Sequence, residues 1–280
     1  MLSSAESAGR VQFIGNATLL VRYGALTLLT DPNFLYRGQH AHLGYGLLTR
    51  RLKEPAATVD QLPAGLDAVV LSHLHGDHWD RMARRNLDRA LPVLTTPHAA
   101  RRPRTLQGFR HARGLRDWQH HTLSREGHQV RLTAVPGRHA VGPLRGLPAA
   151  GHGEHAGIRP GGRAGAPARV RVGGHAPLRR SRGDPQALPG HGPRGSAPGR
   201  HAAAGGFVVT MDGGRGAELS RRLGPRFTLP VHHDDYTVMK SPLSAFLEEM
   251  DRRGLGERVV HCDRGRVAAL TPDGPTVDVA

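Results

Sequence analysis

Residues 71–78 constrain this chain most; they read LSHLHGDH and follow directly on an apolar run. Three imidazoles and one carboxylate fall within six residues there. Side chains two residues apart in an extended chain project to the same side, so His73 and His75 can reach one ion as the strand ends. Asp77 and His78 follow a glycine and can face a second ion, as two-metal hydrolases require. The motif therefore predicts a metal site at the end of a buried strand.

The alternative explanation for this motif is that histidine is simply common, because 19 histidines are spread over the chain. Scattered histidines seldom fall at ligand spacing behind a strand, so the metal site is the favoured interpretation. Cys262 is the only cysteine. The chain therefore has no intrachain disulfide and no thiolate cluster, and a metal would be held by nitrogen and oxygen atoms.

Length and hydrophobicity are those of a globular protein. The 280 residues suffice for one large domain or two small ones, with a real core. No apolar segment is long enough to span a membrane, and the first residues lack the charged-then-apolar layout of a signal peptide. We therefore expect a cytoplasmic protein.

Short β-rich runs at 11–15, 18–22 and 26–30 predict a β-meander. Asp31 closes its third strand and is either a carboxylate that orients a ligand histidine or a simple turn residue. Strands and helices alternate further along, which favours a layered α/β domain. Residues 33–64 are predicted to be loop-like, and loops within 33–64 and 100–128 are expected to shape the pocket. The predicted helices are 79–91, 97–107, 216–223 and 242–253. The predicted strands are 92–96, 129–137, 207–212, 227–231, one near 259, and 267–270.

Two further histidines follow predicted strands in the way that His73 does. His139 comes after the strand at 129–137, and His232 comes after the strand at 227–231. A lone histidine is more often structural than a ligand. Because a metal motif is already present, His139 is interpreted as a ligand, and His232 follows a strand end in the same way.

The motif, together with the two later strand-end histidines, resembles the metallo-β-lactamase fold superfamily. More narrowly, it is similar to the branch that contains the ascorbate-phosphate lactonases and the N-acyl-phosphatidylethanolamine phospholipases D. Asn16 stands where those relatives often carry histidine. The resemblance covers about 1–148 and 207–280, and the narrower one rests on 14–18 (IGNAT), 29–32 (LTDP), 135–139 (VPGRH) and 230–236 (PVHHDDY).

The resemblance implies a single domain over residues 1–280 with the four-layer αββα sandwich of that superfamily. Two Zn²⁺ ions would lower the pKa of a shared water to about 7 and polarise the bond under attack. Mn²⁺ or iron would also suit a site without thiolate. Asp77 is implied in catalysis as well as in metal binding. By the same resemblance, one ion is held by His73, His75 and His139, and the other is held by Asp77, His78 and His232. Asp31 and Asp235 orient the ligands. The alternative for Asp235 is that it only caps the next helix.

Residues 149–206 do not fit the resemblance. These 58 residues hold 15 Gly, 7 Pro, 9 Arg and 5 His but only five large apolar residues, a composition that predicts disorder. The superfamily has a strand there that ends in Ser-Gly-Asp-Thr, whose aspartate bridges both metals. The codons of residues 172–175, read one nucleotide later, can spell that motif, with the aspartate at the position of Gly174.

We therefore interpret residues 149–206 as translated out of frame between two compensating shifts. The same shift at 188–190 and at 197–202 also gives stretches like those of the family. The alternative is a genuine Arg/Gly/Pro-rich disordered insertion. In either case the chain lacks the bridging aspartate, so we expect weak or partial metal loading and little activity.

The formal charge of +16 suggests nucleic-acid binding as an alternative function. Nearly all of this charge is arginine, as a GC-rich gene tends to encode, and residues 149–206 supply nine arginines against two acidic residues. With that segment discounted and only 4% aromatic residues, a nucleic-acid partner has little support. We expect a hydrolase of a small-molecule lactone, phosphodiester or similar ester. The alternatives are an inactive remnant and a nucleic-acid-processing member of the same superfamily.

Overall fold

An eight-stranded mixed sheet lies at the centre of the fold, in a computed structural model that describes residues 9–44, 46–135, 157–158, 212–271 and 275–277. Predictions that fall on other residues lie outside these ranges. They include the predicted ligand His139, the position of Gly174, residues 207–211 of the strand predicted at 207–212, and all of 149–206 except Gly157 and Ile158. The single domain with an interrupted middle therefore stays a prediction.

The described strands and helices follow the chain in the order of a layered α/β protein. The strands are β1 (Gly9–Gly15), β2 (Thr18–Tyr23), β3 (Leu26–Thr30), β4 (His40–His42), β5 (Leu48–Arg50), β6 (Ala68–Val70), β7 (Val93–Thr95), β8 (Ala112–Gly114), β9 (His120–Arg125), β10 (His128–Val135), β11 (Gly157–Ile158), β12 (Val267–Leu270) and β13 (Pro275–Val277). The helices are α1 (Arg81–Asn86), α2 (Pro97–Leu106), α3 (Gly213–Leu223) and α4 (Leu243–Arg252).

The large sheet has the strand order β13-β12-β1-β2-β3-β6-β7-β8. Its first half is antiparallel, and the predicted meander β1-β2-β3 is confirmed. From β3 onward the pairs are parallel. Because β1 is antiparallel to β2, and β2 to β3, the strands β1, β3 and β6 all run in the same direction. Their carboxyl ends therefore lie along one edge of the sheet.

Alternating side chains give the sheet an apolar layer on each face, as period-two strands require. On one face Val69 and Leu71 pack with Trp79 and Ala83 at the start of α1. On the other face Val70 and its neighbours pack against the second sheet, which has the order β11-β10-β9. Two sheets in contact with helices on an outer face agree with the expected metallo-β-lactamase architecture.

Three of the four described α-helices begin at residues whose side chains accept from an early backbone N–H group. Asp80 caps α1 by accepting from Ala83 N, Thr96 caps α2 by accepting from Ala99 N, and Asp212 caps α3 by accepting from Arg215 N. Gly224 ends α3 in the left-handed conformation at φ 51°, where glycine has no steric penalty. Among the described helices, none combines the length and apolar composition needed to cross a membrane.

Three sequence predictions about local structure are wrong. Residues 33–64 are not simply loop, since β4 and β5 form a hairpin there; both strands are three residues long with exposed ends, so no apolar alternation marks them. The helix predicted at 79–91 covers only Arg81–Asn86, because Leu87 turns to an extended conformation with ψ 144° and buries its side chain. The predicted strand at 227–231 makes one bridge, from Thr228 to Val259.

Candidate metal centre

Three strand ends meet at the candidate site. Asn16 follows β1, Asp31 follows β3, and residues 72–78 follow β6, so the common direction of these strands brings their carboxyl ends together. Open α/β sheets place functional groups at this kind of edge. Asn16 and Asp31 also have positive φ angles, 55° and 35°, as does His232 at 66°. Such backbone strain in non-glycine residues is concentrated at functional sites.

The histidine motif folds as a tight turn that the surrounding structure fixes at both ends. The backbone N–H groups of His78 and Trp79 donate to His75 O over 3.0 and 2.8 Å, and Gly76 N donates to His42 O over 2.8 Å. A β-carbon on Gly76 would lie 2.8 Å from the backbone nitrogen of His42. Only glycine therefore lets the β4–β5 hairpin approach the turn this closely.

Three donor atoms form a compact triangle. His78 Nε2 lies 3.0 Å from His232 Nε2, His232 Nε2 lies 3.1 Å from Asp77 Oδ2, and His78 Nε2 lies 3.6 Å from the same oxygen. Ligands bound at 2.0–2.1 Å around a tetrahedral ion are about 3.3 Å apart. The three side chains are thus spaced as ligands of a single ion, and they are the set that the family resemblance implies for one metal.

The other predicted ligands in the described residues lie beside this triangle. The His73 ring is centred 4.0 Å from that of His78 and 4.6 Å from that of His75. One donor atom from each of His73, Asp77 and His78 lies within 4.8 Å of the others. The structure therefore brings together five of the six predicted ligands, and the sixth, His139, lies outside the described residues.

Electrostatics at the triangle favour a cation. Burial by itself raises the pKa of Asp77, but the charge of His78 and the hydrogen bond with His232 outweigh it and hold that pKa well below its usual range. Asp77 is only 3% exposed, and its Oδ1 atom has no hydrogen-bond donor among the described residues. An uncompensated buried carboxylate oxygen is costly. A metal ion at this position would compensate it, so the residues present fit a metal.

Asp31 orients His78 from the side away from the triangle. Its Oδ2 atom lies 3.2 Å from His78 Nδ1, and its Oδ1 atom accepts from Ser72 N over 2.6 Å. Burial lowers the pKa of His78, but Asp77 and Asp31 outweigh it, so the pKa is raised. A proton held on Nδ1 by a carboxylate leaves Nε2 with its lone pair directed at a metal, which is how ligand histidines are normally fixed.

Asp31→Asn is expected to weaken divalent-metal binding about 10- to 100-fold. The asparagine can still accept from Ser72 N, but its amide N–H group would face His78 Nδ1 and disfavour the tautomer that leaves Nε2 free. Competition against a chromophoric chelator measures the affinity. Asp67→Asn is the matched control, since Asp67 accepts from Thr27 N at the opposite end of β6. Equal affinities for the two variants would contradict this role of Asp31.

Asp235 lies one layer further from the ligands. Its carboxylate accepts from Asn16 N over 2.7 Å and from Arg264 Nη1 and Nη2, both over 2.9 Å. Asn16 in turn donates through its amide to Asp77 O and accepts from His232 N over 2.9 Å. Asp235 thus acts on two predicted ligands through Asn16. The alternative that it caps the next helix is wrong, because α4 begins after Pro242.

Sequence reasoning missed three residues that support this site. Ser72 Oγ lies 2.9 Å from His73 Nδ1 and 3.3 Å from His78 Nδ1. Arg51 is fully buried and bonds to Asn33 and to Asp235 Oδ1, the latter over 3.3 Å. The position of Ser72 inside the motif could have revealed it. Nothing local distinguishes Asn33 and Arg51 from ordinary loop residues.

The fold is shared with solved metallo-hydrolases. A possible metal-dependent hydrolase from Veillonella parvula DSM 2008 is similar over 92% of this chain and 98% of its own, with a TM-score of 0.66 and 17% identity. An isothiocyanate hydrolase from Delia radicum gut bacteria is similar over 94% and 99%, with the same TM-score and identity. At this identity the likeness shows the fold alone.

A family model described as the beta-lactamase superfamily domain matches residues 27–164, a range that includes the histidine motif. The chain belongs to the metallo-β-lactamase fold superfamily. A curated relative of this superfamily member is the UPF0173 protein YddR of Bacillus subtilis strain 168, with 28% identity over 132 residues. That match covers 46% of this chain and 50% of the relative, so it spans half of the relative's length.

Proposed function

We propose that this metallo-β-lactamase fold protein is a two-metal hydrolase of an ester-type bond, a lactone or a phosphodiester, in a small cytoplasmic substrate. The observation that carries the proposal is the triangle of His78, His232 and Asp77, with a buried Asp77 oxygen that has no donor among the described residues. Such a set of nitrogen and oxygen donors suits Zn²⁺, and it also suits Mn²⁺ or iron.

The residues of the site have separate roles in this proposal. Asp77, His78 and His232 hold one metal; His73 and His75, with His139, hold the second. When bound, the metals lower the pKa of a water to about 7 and polarise the bond that is cleaved. Asp31 keeps the His78 proton on Nδ1, and Asn16 fixes the backbones that carry Asp77 and His232. The β4–β5 hairpin lies beside His75, since a β-carbon on Gly44 would be 3.5 Å from the Nε2 atom of that ring.

We further propose that the hydrolase is impaired in the present chain. The position that should carry the bridging aspartate is Gly174, within the segment interpreted as out of frame. The match to the family model ends at residue 164, ten residues before that position. Asp77, His78 and His232 all lie outside the segment, so the present chain keeps these three ligands of the first metal and loses the aspartate that would bridge both metals. The second candidate is that the chain is an inactive remnant of such a hydrolase. Gly174 favours this candidate, because glycine has no side chain to bridge the metals.

Restoring the frame of residues 149–206 tests the proposal. We expect the repaired chain to hold two metals by elemental analysis after dialysis, and the present chain to hold about one. Activity is then screened with lactones and phosphodiesters, together with isothiocyanates because a structural neighbour hydrolyses them. We expect the repaired chain to turn over one of the ester classes much faster than the present chain.

The possible results separate the two claims. Two tightly held metals in the present chain would refute the impairment and leave the hydrolase intact. A repaired chain that is fully loaded but cleaves none of the three substrate classes would refute the hydrolase and support the remnant. Cleavage of isothiocyanates alone would keep the metal centre and overturn the ester-type substrate.

A further inference from the structure

Outside residues 149–206, the net positive charge of this protein is concentrated in one short segment. Outside residues 149–206 the chain has 30 Lys and Arg against 21 Asp and Glu. Residues 81–116 hold ten of those arginines and a single acidic residue, Asp88. The residues outside both 81–116 and 149–206 therefore include 20 of each sign and have no net charge. A GC-rich gene would distribute arginine along the whole chain, so base composition does not explain this concentration.

The fold brings these arginines onto a single surface. The strands β6, β7 and β8 are consecutive parallel neighbours, connected by α1 and α2. Parallel crossovers are right-handed, so both helices lie on the same face of the sheet. We call the arginines of the two helices the arginine face: Arg81, Arg84, Arg85, Arg101, Arg102 and Arg104.

The two helices are close enough for their charges to interact. Burial is the largest cause of a lowered pKa of Arg84; the charges of Arg102 on α2 and of Arg85 and Arg81 on α1 lower it further, and the charge of Asp80 partly offsets them. The contribution of Arg102 shows that cations on the two helices repel one another. An anion bound between the helices would relieve this repulsion.

Acidic side chains do not neutralise the arginine face. Within the described residues none of its six members forms an ion pair with a carboxylate, and the buried Asp80 beside it accepts from backbone N–H groups of Phe34, Leu35 and Ala83. On α3 and α4, by contrast, the arginines are neutralised by glutamates. Glu218 pairs with Arg221, Arg222 and Arg253, and Glu249 pairs with Arg252. The cations of the arginine face are therefore available to an external anion.

The composition of the arginine face selects the class of partner. The apolar side of α2, Ala99, Ala100 and Pro103, is already buried against the sheet. Among the described residues of both helices, only Leu106 is a large apolar side chain that is strongly exposed. A membrane-inserting helix needs a free apolar face, and protein interfaces have an apolar centre. Guanidinium groups bind phosphate through two parallel hydrogen bonds, and nucleic-acid interfaces are polar and positively charged.

We propose that the arginine face binds the phosphate backbone of a nucleic acid. The ten residues of α2 extend over about 15 Å, which matches about four phosphates of one strand at a rise of 3.4 Å. The low expectation for this partner came from the arginine usage of a GC-rich gene, from discounting residues 149–206 and from the low aromatic content. None of these considers where the remaining charge of +9 lies. The surface is independent of the metal centre and of the proposed hydrolase function.

The test is the binding of a labelled oligonucleotide duplex to the full chain, followed by fluorescence anisotropy across a salt series. The variant R85Q/R101Q/R102Q removes three exposed arginines of the arginine face. The matched control R10Q/R22Q/R258Q removes three exposed arginines elsewhere and has the same net charge. We expect the first variant to bind at least ~10-fold more weakly at about 0.1 M salt, with a salt slope lower by about 3. The control should bind as the unmodified chain does.

Three results would overturn the proposal. The first is equal weakening in both variants, which would mean diffuse attraction by the total charge. The second is no binding by the unmodified chain at low salt. The third is tighter binding to vesicles of phosphatidylglycerol and phosphatidylcholine than to the duplex, lost in the same triple variant, which would assign the surface to a membrane. Circular dichroism of both variants verifies that they are folded.

Discussion

Asp77→Asn is expected to lower the affinity for the first divalent metal by more than about 100-fold, since even the partners that orient ligands change affinity 10- to 100-fold. The substitution keeps the shape of the side chain but removes the one negative charge of the triangle. It also directs amide N–H groups toward the Nε2 atoms of His78 and His232, which lie 3.6 and 3.1 Å from Asp77 Oδ2. A donor in that position cannot bind a cation.

Metal content and thermal unfolding measure this loss without any substrate. A metal that binds only the folded chain at 100 times its dissociation constant stabilises it by about 2.7 kcal/mol. The unmodified chain should therefore gain stability on addition of Zn²⁺, and Asp77→Asn should gain almost none. Asp88→Asn is a control that changes the same charge at an exposed position. Equal stabilisation of all three proteins would show that Asp77 is not a ligand.

The predictable part of the site is the part that is local in sequence. His73, His75, Asp77 and His78 lie within six residues, so their spacing alone places them on one strand end. The direction of the three parallel strands then explains why Asp31 is close to them. A motif of this kind carries its own geometry, because the backbone between the ligands fixes their separation.

His232 was found by an argument that is only partly correct. It was expected after a strand, yet residues 227–231 make only one bridge, and Pro230 has no N–H group to donate to a longer ladder. What holds His232 at the site is its own backbone N–H group, which donates to Asn16 O, and a φ of 66°. Neither feature can be read from the order of residues.

The support of the site could not be predicted for the same reason. Arg51 bonds to Asn33 and Asp235, which are 18 and 184 residues away along the chain. Arginine is almost never fully buried unless it is paired. An arginine within the loop-like residues 33–64 therefore gave no reason to expect a buried side chain. The strand β8 was missed because it has only three residues, and β9 was missed because it is polar, with exposed residues such as His120.

Asp235→Ala is expected to lower the free energy of unfolding by about 3–5 kcal/mol, because it leaves a buried charge without its partner. Arg51 and Asp235 are both fully buried, and Arg264 and Asn16 N bond to the same carboxylate. Urea denaturation measures the change. Asp234→Ala is the matched control: its ion pair with Lys53 is exposed, so the expected loss is about 0–1 kcal/mol. A similar loss in both variants would contradict the role of burial.

A double variant separates stability from metal binding. Replacing a buried ion pair with apolar residues of similar volume is often neutral or stabilising, so R51M/D235L should recover most of the stability lost in Asp235→Ala. It does not restore an acceptor for Asn16 N, and Asn16 fixes the backbones of Asp77 and His232. We therefore expect the double variant to fold stably and still bind metal about 10- to 100-fold more weakly than the unmodified chain. Recovery of both properties together would mean that Asp235 supports only the fold, and that the path through Asn16 has no effect on the metal centre.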